Sequence, residues 1–231
     1  LPGIVMIFVM AASTSGQKVK FNFEKKGHNT LCLATSADGS QIATGGDDNK
    51  IVIRSLADGQ ETNTLGGGEN WITSLRFHKD GKMLAAGDKG GKLTIYDLST
   101  GSIASTFDAH KGTVYAVDLS PRFNHAISAG ADGNLRVWDL STKHMYKEIK
   151  VCDKELLAAR FSPDGGKVVT AGSDGMLKEW DALSWNMVRS IEAHADAYIR
   201  SIAYSSDGAY VATGSDDRTV KVWETSTGKL K

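Results

Sequence analysis

The segment Asn134-Leu-Arg-Val-Trp-Asp139 decides how the whole chain is read, because it does not stand alone. It returns as Lys92-Leu-Thr-Ile-Tyr-Asp97, Met176-Leu-Lys-Glu-Trp-Asp181 and Thr219-Val-Lys-Val-Trp-Glu224, with a weaker copy at Lys50-Ile-Val-Ile-Arg-Ser55. The fifth residues fall at 54, 96, 138, 180 and 223, at spacings of 42, 42, 42 and 43. Such regular self-similarity marks a repeat architecture and takes precedence over any local motif.

Working outward from each copy, apolar and polar residues alternate with period two, the signature of a half-buried strand. In one unit, Lys167-Val-Val-Thr170 precedes the turn Gly172-Ser-Asp-Gly175, and an earlier strand ends in Phe161-Ser-Pro-Asp-Gly165. Asp-Gly occurs seven times, at Asp38, Asp58, Asp80, Asp132, Asp164, Asp174 and Asp207. Between alternating apolar runs this dipeptide predicts hairpins, with both residues at positive φ in a type I′ turn. Each unit therefore reads as a four-stranded antiparallel meander. So small a sheet cannot bury both faces alone, and the units must pack face to face around an axis. The predicted fold is all-β: a β-propeller of four-stranded blades, about five to six in this chain.

Composition bounds the function. Of 231 residues, 41% are hydrophobic and 23% charged, which suits a globular domain and excludes a disordered or collagen-like chain. Lys and Arg total 27 against 27 Asp and Glu, so no global field attracts nucleic acid or an anionic membrane. Cys32 and Cys152 fall in no metal or disulfide spacing, and there is no Asn-x-Ser/Thr sequon. Both features point to an intracellular, cytoplasmic protein, with nucleus and cilium left open. Glycine at 25 with proline at 3 suits many tight turns.

The chain opens at Leu1 rather than Met, as expected of a product cut from something longer. Ile4 to Ala12 are all apolar but far short of the roughly 20 residues of a membrane helix. Residues 1–26 are read as an apolar strand plus the outer strand of a preceding blade, with a leader peptide as the alternative. Residues 27–231 are read as five repeats in one domain. The ring does not close neatly on this count. It is read as part of a longer propeller, the alternatives being an open ring or one completed by a second chain.

The Trp-Asp endings at Trp138 and Trp180, the openings at His28, His110 and His194, and the 42-residue period resemble WD40-repeat β-propellers over about residues 27–231. The resemblance implies a ring usually of seven blades, of which this chain would form part, and a scaffold for other proteins or peptides within a multi-protein complex, with no chemistry or cofactor of its own. The alternative is a regulatory or substrate-recognition domain whose catalytic part lies elsewhere. It also implies a hydrogen-bonded chain of His, Ser/Thr, Asp and Trp in each blade. The third repeat supplies His110, Ser128, Asp132 and Trp138, and the fifth supplies His194, Thr213, Asp217 and Trp223. The fourth keeps Thr170, Asp174 and Trp180 but has Cys152 in place of histidine. The first keeps His28, Thr44 and Asp48 but has Arg54 for Trp, and the second has Ala86, Gly90 and Tyr96 instead. Blades one and two are accordingly expected to be less rigid than three and five. Glu179 departs from Ile53, Ile95, Val137 and Val222 at its position and needs a partner that the sequence does not name.

In the resembled family one narrow face is a frequent docking surface. Carried over by alignment, that face comprises Trp71, Thr73 and Lys89, then Thr113, Tyr115 and Ala131, then Glu155, Leu157 and Ser173, then Tyr198, Arg200 and Asp216. Repeat one adds Asn29, Leu31 and Asp47. Trp71, Tyr115, Tyr198 and Arg200 lead, since aromatic residues and Arg dominate interface energetics.

No catalytic motif fits the sequence. Gly90-Gly91-Lys92-Leu93 lacks both the earlier glycine and the Ser/Thr of a phosphate loop. The six histidines show no metal spacing, and Asp47-Asp48 and Asp216-Asp217 read as turn residues rather than calcium ligands. Ser141 and Leu183 stand where ubiquitin-ligase receptors of the family often carry Arg, and the Arg-Arg pair of phosphoinositide-binding propellers is missing.

Overall fold

The computed structural model describes residues 29–66 and 68–231. Its nineteen strands form five antiparallel sheets, each a simple meander. Blade 1 holds β1 (Thr30–Thr35), β2 (Gln41–Gly46), β3 (Lys50–Ser55) and β4 (Glu61–Gly66). Blade 2 holds β5 (Ile72–Phe77), β6 (Met83–Asp88), β7 (Lys92–Asp97) and β8 (Ser102–Asp108). Blade 3 holds β9 (Val114–Leu119), β10 (His125–Gly130), β11 (Asn134–Asp139) and β12 (His144–Lys150). Blade 4 holds β13 (Leu156–Phe161), β14 (Lys167–Gly172), β15 (Met176–Asp181) and β16 (Met187–Glu192). Blade 5 has three strands, β17 (Ile199–Tyr204), β18 (Tyr210–Ser215) and β19 (Val220–Glu224), with a single further bridge from Trp223 to Leu230. The first strand of each blade packs on the first strand of the next, from β1 through β5, β9 and β13 to β17. These five strands line the axis. The repeat expectation of five blades is met, while the predicted N-terminal strands and His28 lie outside the described residues. Among those residues no helix is long and apolar enough to cross a membrane.

The cores lie between blades, as a sheet too thin to bury both faces requires. Ile51, Ile53 and Leu65 of blade 1 close against Ile72, Leu84 and Tyr96 of blade 2. Leu93, Ile95 and Phe107 of blade 2 meet Val114, Val117 and Trp138 of blade 3. Two further clusters join blades 3 to 4 and 4 to 5. Each fully buried Ile or Leu contributes about 1.5–3 kcal/mol relative to exposure, so the interfaces rather than the separate sheets carry the fold. Burial falls toward the rim, where β12 is exposed along nearly its whole length.

The turns differ from the expectation in one respect. All seven glycines of the Asp-Gly pairs have positive φ, but none of the aspartates does. Gly39, Gly81, Gly133, Gly165 and Gly208 each donate their N–H to a carbonyl three residues earlier. This is a type I turn followed by a left-handed glycine, not the type I′ turn predicted. The aspartate stays at negative φ because its carboxylate anchors the turn from within. Asp38 Oδ1, for example, accepts from Ser36 Oγ at 2.6 Å and from Ser40 N at 3.0 Å.

Glu179 finds its partners within its own blade. It is buried at 7% exposure, yet Lys167 Nζ lies 2.6 Å from Oε1 and Arg189 Nε 3.7 Å from Oε2. Strands on either side thus supply the compensating charge at a position facing Val211 and Trp223 of blade 5.

Candidate functional site

A polar chain fixes the strand ends that carry the candidate face. In blade 3, His110 Nδ1 lies 2.8 Å from Asp132 Oδ1, His110 Nε2 lies 2.8 Å from Ser128 Oγ, and Trp138 Nε1 donates to Ser128 Oγ at 3.0 Å. A carboxylate only accepts, so His110 donates from Nδ1, its Nε2 accepts from the serine hydroxyl, and that oxygen accepts from the indole. Burial alone would push Asp132 upward, but hydrogen bonds from Arg136 and His110 outweigh it and hold the carboxyl well below the usual range. Burial lowers the His110 pKa, against the pull of Asp132, and keeps the ring neutral. Blade 5 repeats the arrangement: His194 Nδ1 to Asp217 Oδ2 at 2.6 Å, Nε2 to Thr213 Oγ1 at 2.8 Å, and Trp223 Nε1 to Thr213 at 3.1 Å.

Blade 4 keeps half of it. Trp180 Nε1 donates to Thr170 Oγ1 at 2.8 Å and Asp174 accepts from Lys178 Nζ at 2.6 Å, with Cys152 at the position of the histidine. Cys152 turns its Sγ to the Glu155 carbonyl at 3.4 Å. In blade 1, Thr44 Oγ1 donates to Val52 O, and Arg54 reaches Glu61 at 3.4 Å. Sequence reading missed a second recurrent device. Arg136, Lys178 and Lys221 each donate to the carbonyl of the residue just before the opening position, at Ala109, Val151 and Ala193. The signal was present as a basic residue at the third position of three repeats.

The carried-over face is organised by a feature that no sequence pattern announced. Each axis-lining strand contains a one-residue break in register near its start. The extra residues are Leu31, Thr73, Tyr115, Leu157 and Arg200, the second carried-over candidate of every repeat. A β-bulge re-aims a side chain that strict alternation would commit to the sheet, and five of them do so in register. Leu157 is buried, and Thr73 donates to Gly87 O at 3.1 Å and Val114 O at 2.6 Å, so these two serve packing between blades. Tyr115 and Arg200 retain accessible surface.

Around those bulges the candidates meet across blades. Tyr115 of blade 3 donates its hydroxyl to Glu155 Oε1 of blade 4 at 2.8 Å, and burial together with that carboxylate pushes its pKa up to about 12. Arg200 lies 5.0 Å from the centre of the Tyr198 ring and grips both oxygens of Asp216 at 2.7–3.1 Å. Trp71, 43% exposed, carries Lys89 Nζ 3.9 Å over its ring. Asn29 pairs with Asp47 at 2.7 Å. The face thus presents two cation–aromatic pairs and a run of carboxylates bound to donors. Among the described residues no group of three or more His, Cys, Asp or Glu is placed to hold a metal ion.

Residues 18–55, 59–97, 101–139, 147–181 and 185–224 each match the family model described as WD domain, G-beta repeat. No curated protein matches the chain.

Proposed function

This chain belongs to the WD40 family of G-beta repeats, and from that premise we propose that it is a non-catalytic scaffold docking a peptide or protein on its bulged face. Propellers of this family generally mediate protein–protein interaction and are typically without catalysis. The observation that carries the reading is the alignment of five bulges at one end of the axis. Two exposed or half-exposed side chains there, Tyr115 and Arg200, stand beside the ring of Tyr198 and the Trp71–Lys89 pair. Arg200 and Asp216 are each about half exposed, at 54% and 48%, and such surface pairs are worth at most about 1 kcal/mol. A partner carboxylate can therefore displace Asp216 at little cost, while Trp71 offers apolar area. The cysteines are free thiols, which accords with placing the protein inside the cell, as one member of a larger complex.

The test is a comparison of wild type with the Trp71→Ala, Arg200→Ala double variant in affinity capture from cells. The variant is expected to lose the captured partners while keeping the wild-type melting temperature, since neither side chain is buried. Unchanged capture sinks the assignment of the bulged face.

A further inference from the structure

The opposite end of the axis carries a second, chemically different site. There the C-terminal ends of β1, β5, β9, β13 and β17 enclose a cavity of about 800 Å³, within the size range of small-molecule sites. Among the described residues its charged lining is Arg76, Lys79, Asp118 and Arg160, three cations against one carboxylate, or 3 − 1 = +2. The chain as a whole has no net charge, so this excess is local.

The single carboxylate is already committed. Asp118 accepts from Arg76 Nε and Leu119 N through Oδ1 and from Phe161 N through Oδ2, all at 2.9 Å, and so ties blades 2, 3 and 4 together. Arg76 spends only its Nε there. Its two terminal nitrogens have no partner among the described residues, and its side chain is 46% exposed. Arg160 donates from Nη1 to the carbonyls of Val117 and Ala159 at 3.0 and 3.2 Å, and among the described residues no carboxylate bonds to it. Burial lowers its pKa, with Asp118 opposing, which marks a partly desolvated guanidinium lacking a direct counter-ion. The carboxylates of Asp38, Asp164 and Asp207 stand behind the wall, each accepting at 2.6 Å from a lining serine, Ser36, Ser162 or Ser205.

We propose that this channel mouth binds a small phosphate-bearing anion, held by the forks of Arg76 and Arg160 with Lys79 at the rim. A guanidinium fork matches the spacing of phosphate oxygens, and an excess of two positive charges matches a phosphate dianion better than a single carboxylate. The site lies at the other end of the axis from the docking face and does not depend on it.

The probe is inorganic pyrophosphate, titrated calorimetrically into the full chain at constant ionic strength, with thermal unfolding followed in parallel. One-to-one binding and a raised melting temperature are expected. The Arg76→Gln, Lys79→Gln variant changes only exposed side chains, and circular dichroism reports its fold directly. It is expected to bind at least about tenfold more weakly. Trp71→Ala with Arg200→Ala is expected to bind as wild type does. The proposal is overturned by no binding up to about 10 mM pyrophosphate. Equal affinity in the Arg76→Gln, Lys79→Gln variant overturns it too, as does a thermal shift reproduced by sodium chloride at matched ionic strength.

Discussion

Blade 3 and blade 2 fill the same positions with opposite chemistry. In blade 3 a buried imidazole, hydroxyl and indole and a half-buried carboxylate satisfy one another, and the buried groups are costly without those partners. In blade 2 the equivalent hydroxyl is Ala86 and the indole is Tyr96, 3% and 1% exposed, packed with Leu84 and with Ile51, Ile53 and Leu65 of blade 1. Where blade 3 has its aspartate, blade 2 has Gly90, and a Cβ there would collide with the side chain of Asn70. Tyr96 sends its hydroxyl to the Gly66 carbonyl of blade 1 at 3.3 Å, a long bond that adds little. The polar chain is thus one way to fill the middle of a blade, and tight apolar packing is another. The comparison also opposes two arguments about rigidity: blade 2 has lost hydrogen bonds, yet its central strands are among the most buried in the molecule.

The largest expected effect breaks blade 2. Tyr96→Ala should cost about 3–5 kcal/mol in urea unfolding, the range for removing a buried aromatic side chain. Tyr96→Phe should cost about 1 kcal/mol or less, because only the long hydroxyl bond is lost. A Phe variant as damaged as the Ala variant would mean that blade 2 also rests on a polar contact.

The middle effect breaks blade 3. Asp132→Ala leaves the fully buried His110 ring without its carboxylate acceptor, and about 2–3 kcal/mol should be lost. Asp174→Ala in blade 4 removes a partly exposed lysine pair and an exposed turn bond from Met176 N, and only about 1 kcal/mol is expected. Equal losses in the two would show that the histidine adds nothing to the network.

The smallest effect is a slope. Burial holds the folded His110 pKa below its ordinary 6.5, so below that pH the unfolded chain binds the extra proton first. Stability from this group is present above pH 6.5 and declines as the pH falls. Asp132, opposed by burial but held by Arg136 and His110, has a folded pKa below 3.8 and adds a second decline beneath that value. His110→Gln should flatten the first decline, and Tyr96→Phe should leave it untouched. A slope unchanged by His110→Gln would remove the buried imidazole as its source.

The 42-residue period, the alternation within strands and the Asp-Gly pairs determined the five-bladed fold, because each is local chemistry written out in every repeat. The polar chain was legible for the same reason: His110, Ser128, Asp132 and Trp138 recur at fixed offsets as His194, Thr213, Asp217 and Trp223. The turn type was misread because Asp-Gly serves more than one turn, and only the carboxylate's contacts choose between them. Other features belong to the tertiary structure alone. The bulges depend on pairing register, the partners of Glu179 on the two strands flanking its own, and the cationic channel mouth on residues about 42 positions apart meeting at one axis. A repeat fixes what each blade is made of, whereas the spaces between and within the ring of blades are decided by packing, where side chains from distant repeats first share a surface.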